Sequence, residues 1–147
     1  MAVARIVSRI FAVFGCVVVC LAGSGCGDAP VAPTTVPFSQ ADISVGTGTE
    51  ATAGKILTVN YTGWLYDATK TDLKGLQFDT SVGATPFSFT LGIGQVIAGW
   101  DQGLPGMKVG GARRLVIPPS LAYGSIRSGP IPPFATLVFE VELLNVQ

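Results

Sequence analysis

Four stretches of this chain alternate apolar with polar residues, and one short stretch repeats at the helical period. In "KILTVNYTGWLY", Lys55 to Tyr66, one face carries Leu57, Val59 and Tyr61 and the other Thr58, Asn60 and Thr62. "PFSFTL" sets Phe87, Phe89 and Leu91 against Ser88 and Thr90, and "ARRLVIP" puts Leu115 with Ile117. "ATLVFEVELLNV" turns Leu137, Phe139, Val141 and Leu143 inward and Glu140 and Glu142 outward. Successive side chains of a strand point to opposite sides, so these are strands buried on one face. Such strands pair antiparallel and need a cover for the apolar side. The cover is Gln95 to Leu104, where Ile97, Trp100 and Leu104 share a helical face before Pro105 and Gly106 stop the helix. Glycines elsewhere, Gly63, Gly92 and Gly94 among them, read as joints. The expectation is an α+β domain: an antiparallel sheet with one short helix over its apolar face.

The N-terminus belongs to something else. Arg5 and Arg9 precede an uncharged run of 14 residues from Ile10 to Gly23. That is shorter than the ~20 residues a membrane-spanning helix needs, and with the basic start it describes a signal peptide over residues 1–25. "GSGCGD" then places Cys26 where a bacterial lipoprotein signal carries its lipidated cysteine, with plain cleavage as the alternative reading. Residues 26–40, which include "DAPVAPTT", read as a tether rich in proline, alanine and threonine, and 41–147 as the folded domain. The expected location is outside the cytoplasm, periplasmic or at the cell surface, on a lipid anchor. Loss of Arg5 and Arg9 leaves seven basic residues against nine acidic ones, a net charge of −2. This balance gives no electrostatic footprint for nucleic acid. Cys16 and Cys20 leave with the signal, so the mature chain has no internal disulfide to make and must rely on its core.

Several chemistries are excluded by residue type. The chain has no histidine, which removes the usual general base and the commonest metal ligand. With Cys26 as the one mature cysteine, a cysteine nucleophile or a zinc site is excluded too. No metal or cofactor is called for. "GIGQVIAG" begins like a dinucleotide fingerprint, but Gly99 stands five residues after Gly94 rather than three. The phosphate-loop spacing from Gly94 to Gly99 fails as well, because Trp100 and Asp101 follow where Lys and Ser or Thr are needed. Asp67, Asp72, Asp79 and Asp101 lie in turn-like surroundings and read as solvated carboxylates rather than as an acid–base pair.

The positive signal is aromatic. Tyr61, Phe87 and Phe139 fall on inward strand faces, and Trp100 faces the sheet from the helix. "QFDTS" adds Phe78 and Asp79, and "PSLAYGSIRSGPIPPFATL" adds Tyr123 and Ile131 on a long loop. Alternation alone leaves two readings open, an ordinary core or the lining of a pocket. Tyrosine hydroxyls and a carboxylate among rings favour the second, since buried polar groups need partners.

Taken together, "VNYTGWL", "FDTS", "PFSFTLGIGQVIAGWDQGL", "MKVGGARRLVIPPSLAYG" and "IPPFATLVFEVELL" resemble, in order, the FKBP-type peptidyl-prolyl cis–trans isomerases. The resemblance covers nearly all of Val45 to Leu144. It implies a curved five-stranded antiparallel sheet wrapped around the short helix, with the active pocket between them. It also implies proline-containing polypeptides as clients, macrolides such as tacrolimus as inhibitors, and a non-covalent reaction. By position, Trp100 resembles the pocket floor, Tyr61, Phe87 and Phe139 the walls, and Val96 and Ile97 the rim at the helix. Phe78 and Asp79 match the pair beside the reacting imide, Tyr123 the loop hydroxyl that bonds a ligand carbonyl, and Ile131 an apolar rim residue. The resemblance assigns Tyr61, Phe78, Asp79, Tyr123 and Phe139 to catalysis and the others to binding.

Three departures stand out. "YDATKTDLKGLQ" reads as a loop insertion, Thr80 to Thr85 lacks the arginine often found there as an ion-pair partner for Asp79, and the later loop carries Pro130 and Phe134. The expected function is therefore an exported, monomeric isomerase of Xaa-Pro bonds. The rival is a module that only binds proline-containing segments.

Overall fold

The computed structural model describes residues 35–147. The expected signal peptide, Cys26 and most of the tether lie outside the described residues. Six strands form one sheet: β1 (Ser39–Ser44), β2 (Ile56–Tyr66), β3 (Lys74–Thr80), β4 (Phe87–Thr90), β5 (Ala112–Ile117) and β6 (Leu137–Val146). The order is β1-β5-β6-β2-β3, with β4 also paired to β2, and every pairing is antiparallel. Five strands were expected; the sheet has six, five of them in the main order and β4 off it against β2. Register shifts in β1, in the β2–β3 ladder and at Thr58/Val59 of β2 interrupt the sheet. Such irregularities bend strands and increase their twist, and this sheet is not a closed barrel.

The alternation read from the sequence sets the core. Leu57, Val59, Phe89, Leu115, Ile117, Leu137, Phe139, Val141 and Leu143 are buried in one cluster with Trp100 of the covering helix and Leu104 just after it. That helix, α1, spans Ala98–Gly103, shorter than the expected Gln95 to Leu104. Its first residues are diverted: the Gln95 side chain accepts a hydrogen bond from Thr90 N (2.7 Å), and Ile97 is extended, with ψ of 146°.

A six-residue helix has too few internal hydrogen bonds to stand alone, so tertiary contacts must hold it. Arg113 is one of these. It lies on the inward face of β5 and is buried, donating from Nη1 to the carbonyls of Gly103 (2.7 Å) and Pro105 (3.1 Å). Its Nε donates to Asp42 at 2.6 Å, which ties the end of the helix to β1. A cation at a helix C-terminus also answers the negative end of the helix dipole.

Two boundaries differ from expectation. The tether was expected to reach residue 40, yet β1 starts at Ser39 and Phe38 already packs against the core. The stretch read as a loop insertion is a hairpin in which β3 begins at Lys74. β3 contains no buried residue, so no alternation announces it. The outward face of the sheet is not wholly wet either. Val138 is fully buried, opposite Trp64 and Val116 in its two neighbouring strands. Lys74 lies 4.4 Å over the Trp64 ring and pairs with Glu140, which also receives Arg114. Burial raises the Glu140 carboxyl, but hydrogen bonds from Lys74 and Arg114 prevail and hold it below the usual carboxylate range.

Replacing Arg113 by Met should lower unfolding stability by about 2 kcal/mol in urea titration, because two helix-end carbonyls and a carboxylate lose their donor. Asp42→Ala should cost less, about 1 kcal/mol, since the Asp42 side chain is 43% exposed and water replaces part of its partner.

Candidate active site

Trp100 projects from α1 into a nest of rings. Its centroid lies 5.3 Å from Tyr61, 5.4 Å from Phe139, 5.5 Å from Phe89 and 6.3 Å from Phe87. The Tyr61, Phe139 and Phe87 rings meet it edge to face, at 79°, 88° and 73°, the arrangement that aromatic quadrupoles favour. Phe78 stands edge-on to Phe139 at 5.6 Å. These rings do not close over one another. All but the buried Phe89 bound an open cavity of about 400 Å³, completed by Asp79, Gly94, Gln95, Val96, Ile97 and Tyr123.

Of the residues predicted for the site, Tyr61, Phe78, Asp79, Phe87, Val96, Ile97, Trp100, Tyr123 and Phe139 all line this cavity. Ile131 does not. It was expected at the rim, yet it is buried in the core cluster, where its amide and carbonyl bond to Ser128 and pin the long loop from behind. Two lining residues were missed, Gly94 and Gln95. Their place immediately before Val96 was the available signal. A second groove of about 430 Å³, bounded by Val36, Tyr66, Pro133 and Phe134 among others, holds none of the predicted residues.

The polar corner of the cavity is built around Tyr61 and Asp79. The Tyr61 hydroxyl donates to Asp79 Oδ2 at 2.6 Å, and Thr80 N donates to Oδ1 at 2.9 Å. Asp79 is the one charged residue in the lining, and among the described residues it has no ion pair. Its hydrogen-bond partners are therefore a phenol and a backbone amide rather than an arginine. Burial, reinforced by the hydrogen bond and charge of Asp79, pushes the Tyr61 phenol up to about 12. The backbone of Tyr61 is fixed as well. Ser81 is buried, its Oγ accepting from Tyr61 N and its amide donating to Tyr61 O, each at 2.9 Å.

The other carboxylates are neither an acid–base pair nor simply solvated. Asp67 accepts from the amide and hydroxyl of Thr69, which holds its carboxyl below the usual range. Asp101 accepts from Gly92 N and Gly94 N. Gly63, expected at a joint, lies within β2 and opposite Phe139. A Cβ there would stand 2.6 Å from Phe78 and 2.8 Å from Phe139, so its lack of a side chain lets the two rings meet.

This fold and this cavity define a class, the peptidyl-prolyl isomerases. Residues 47–144 match the family described as FKBP-type peptidyl-prolyl cis-trans isomerase, and the chain belongs to that family. It is similar to the FK506-binding protein of Neisseria meningitidis serogroup B, 52% identical over 107 residues that cover 71% of this chain and 92% of that protein. Among solved structures it is similar to FkpA from Escherichia coli, with a TM-score of 0.63 and 42% identity over 75% of this chain and 48% of that one. AtFKBP13 has a TM-score of 0.64 and 36% identity, covering 75% of this chain and 93% of that one.

Gly63→Ala should displace Phe78 or Phe139 and lower stability by about 1–3 kcal/mol, the usual cost of overpacking. Urea titration measures that cost. In spectrophotometric titration, the Tyr61 phenol should ionise near pH 12, and Tyr61→Phe should remove that step. The sign follows from the raised pKa: stability linked to this proton is full below pH 10 and is lost as pH rises toward 12.

Proposed function

We propose that this isomerase acts on proline-containing segments of polypeptides outside the cytoplasm, seating the prolyl ring over Trp100 between Tyr61, Phe87 and Phe139. In this reading Phe78 and Asp79 flank the turning imide, Val96 and Ile97 form the rim at the helix, and the Tyr123 hydroxyl donates to a client carbonyl. The observation that carries it is the shared cavity, in which rings from β2, β4 and β6 surround the indole of α1.

Rotation of an Xaa-Pro bond is slow because amide resonance must be broken, a barrier of ~18–20 kcal/mol. The planar imide is strongly dipolar, while the twisted one has lost resonance and part of its dipole. Transfer from water to a ring-lined cavity therefore penalises the planar state more, and the barrier narrows. Only such differential stabilisation raises the rate, and each ~1.4 kcal/mol is tenfold. No bond to the protein forms and no proton leaves Tyr61, whose hydroxyl stays a donor across the neutral range.

The relatives named for FK506 binding support a macrolide ligand of the tacrolimus type in the same cavity. The basic and apolar N-terminus and the placement of Cys26 support export on a lipid anchor.

Isomerisation of a proline peptide, followed without a coupled protease, should accelerate with added protein and stop with tacrolimus. Phe87→Ala and Trp100→Leu should each lower kcat/KM by about tenfold or more, equivalent to ~1.4 kcal/mol of lost transition-state stabilisation. Equal rates with and without the wild-type chain would leave a binding module instead. The profile of kcat/KM should be nearly flat from about pH 6 to 9, and a bell shape contradicts a mechanism without proton transfer. Mass spectrometry of the mature protein should find a diacylated Cys26, and a free N-terminus elsewhere would refute the anchor.

A further inference from the structure

The turn that joins β4 to α1 supplies four residues of the cavity rim, Gly94 to Ile97, yet little in its own sequence holds it in shape. Gly92 and Gly94 have φ of 82° and 73°, a region glycine enters freely and leaves as freely. Asp101, one residue after Trp100 in α1, reaches back across this turn. Its Oδ1 accepts from Gly92 N at 2.8 Å and its Oδ2 from Gly94 N at 3.0 Å. Both carboxylate oxygens thus bond to the turn, and the helix receives no side-chain cap at Ile97. At the other end of the turn, the Gln95 side chain is held by Thr90 N. Asp101 itself does not line the cavity.

We infer that Asp101 is a positioning residue, which locks the floor of the cavity at Trp100 to the rim at Gly94–Ile97. Floor and rim then meet a client as one rigid unit, and the binding-competent arrangement is fully populated before the client arrives. The inference rests on the isomerase reading and adds to it the device that keeps the site assembled. Hydrogen bonds to an ionised carboxylate are shorter and roughly twice as strong as neutral ones, so two of them outweigh the freedom of two glycines.

Asp101→Asn keeps the shape of the side chain but turns one acceptor into a donor facing an amide N–H. If only a fraction of molecules then holds the competent rim, apparent affinity falls by that fraction. KM for a proline peptide should rise by about three- to tenfold, while kcat, measured on clients already bound, should change less than about twofold. The amides of Gly92 and Gly94 should exchange hydrogen faster than in the wild type. Asp42→Ala, which weakens the fold at β1, should leave KM unchanged and so separates positioning from general destabilisation. An Asp101→Asn protein with wild-type KM, or an equal rise in KM for Asp42→Ala, overturns the inference. Should the wild type itself prove inactive, the isomerase reading falls, and unchanged protection at Gly92 and Gly94 overturns the lock independently.

Discussion

The burial of one indole organises this molecule. Trp100 sits on a helix of six residues, and such a helix persists only when its tertiary contacts exceed the entropy of ordering it. The contacts come from three directions. Rings from β2, β4 and β6 close around the indole, Arg113 of β5 caps the carbonyls at the end of the helix, and Asp101 ties its first turn to the preceding loop. Remove the indole and the helix loses its reason to lie on the sheet, while the sheet loses the floor that separates core from cavity. The core and the cavity therefore share one side chain.

A close-packed interior would ordinarily leave no space beside such a residue. Here the space is kept by the geometry of rigid parts. Aromatic rings meeting edge to face cannot slide together as aliphatic chains do, and Gly63 lets Phe78 and Phe139 stand upright against each other. Phe87 and Tyr123 remain 40% and 38% exposed at the mouth, a partial loss of apolar burial that the chain tolerates in order to keep the cavity open. The core beneath, from Leu57 through Leu143, is fully buried and offsets that loss.

What could be read from the residues follows the same division. β2, β4, β5 and β6 each bury one face, so alternation exposes them and even assigns Tyr61, Phe87 and Phe139 to the correct side. β1 is exposed along its whole length, and β3 has no buried residue, so neither leaves a periodic trace. The helix is visible through Trp100 and Leu104, but its start is not, because Gln95 is drawn away by a backbone amide that no sequence pattern reveals. Asp101 and Gly63 were misread for one reason. Their roles depend on what lies across space from them, and a carboxylate after a tryptophan looks the same whether water or two amides face it. Ile131 was placed at the rim by position within a motif, whereas its backbone pairing with Ser128 turns it into the core.

An apolar cavity alone does not explain catalysis, because burial of a prolyl ring stabilises the planar and twisted imides almost equally. Such uniform binding lowers KM and leaves kcat where it was. The difference between the two states lies in the imide dipole, so the groups that matter are those that replace water around it. Water reorients to solvate the planar dipole; the rings of Phe78, Phe139 and Trp100 do not. The one charged group in the lining, Asp79, is engaged by the Tyr61 hydroxyl and the Thr80 amide, which fix its orientation before any client arrives. A polar corner already committed to internal partners offers the planar imide less compensation than water did. Under the proposed mechanism, the hydrogen bond that satisfies Asp79 also helps the cavity favour the twisted bond.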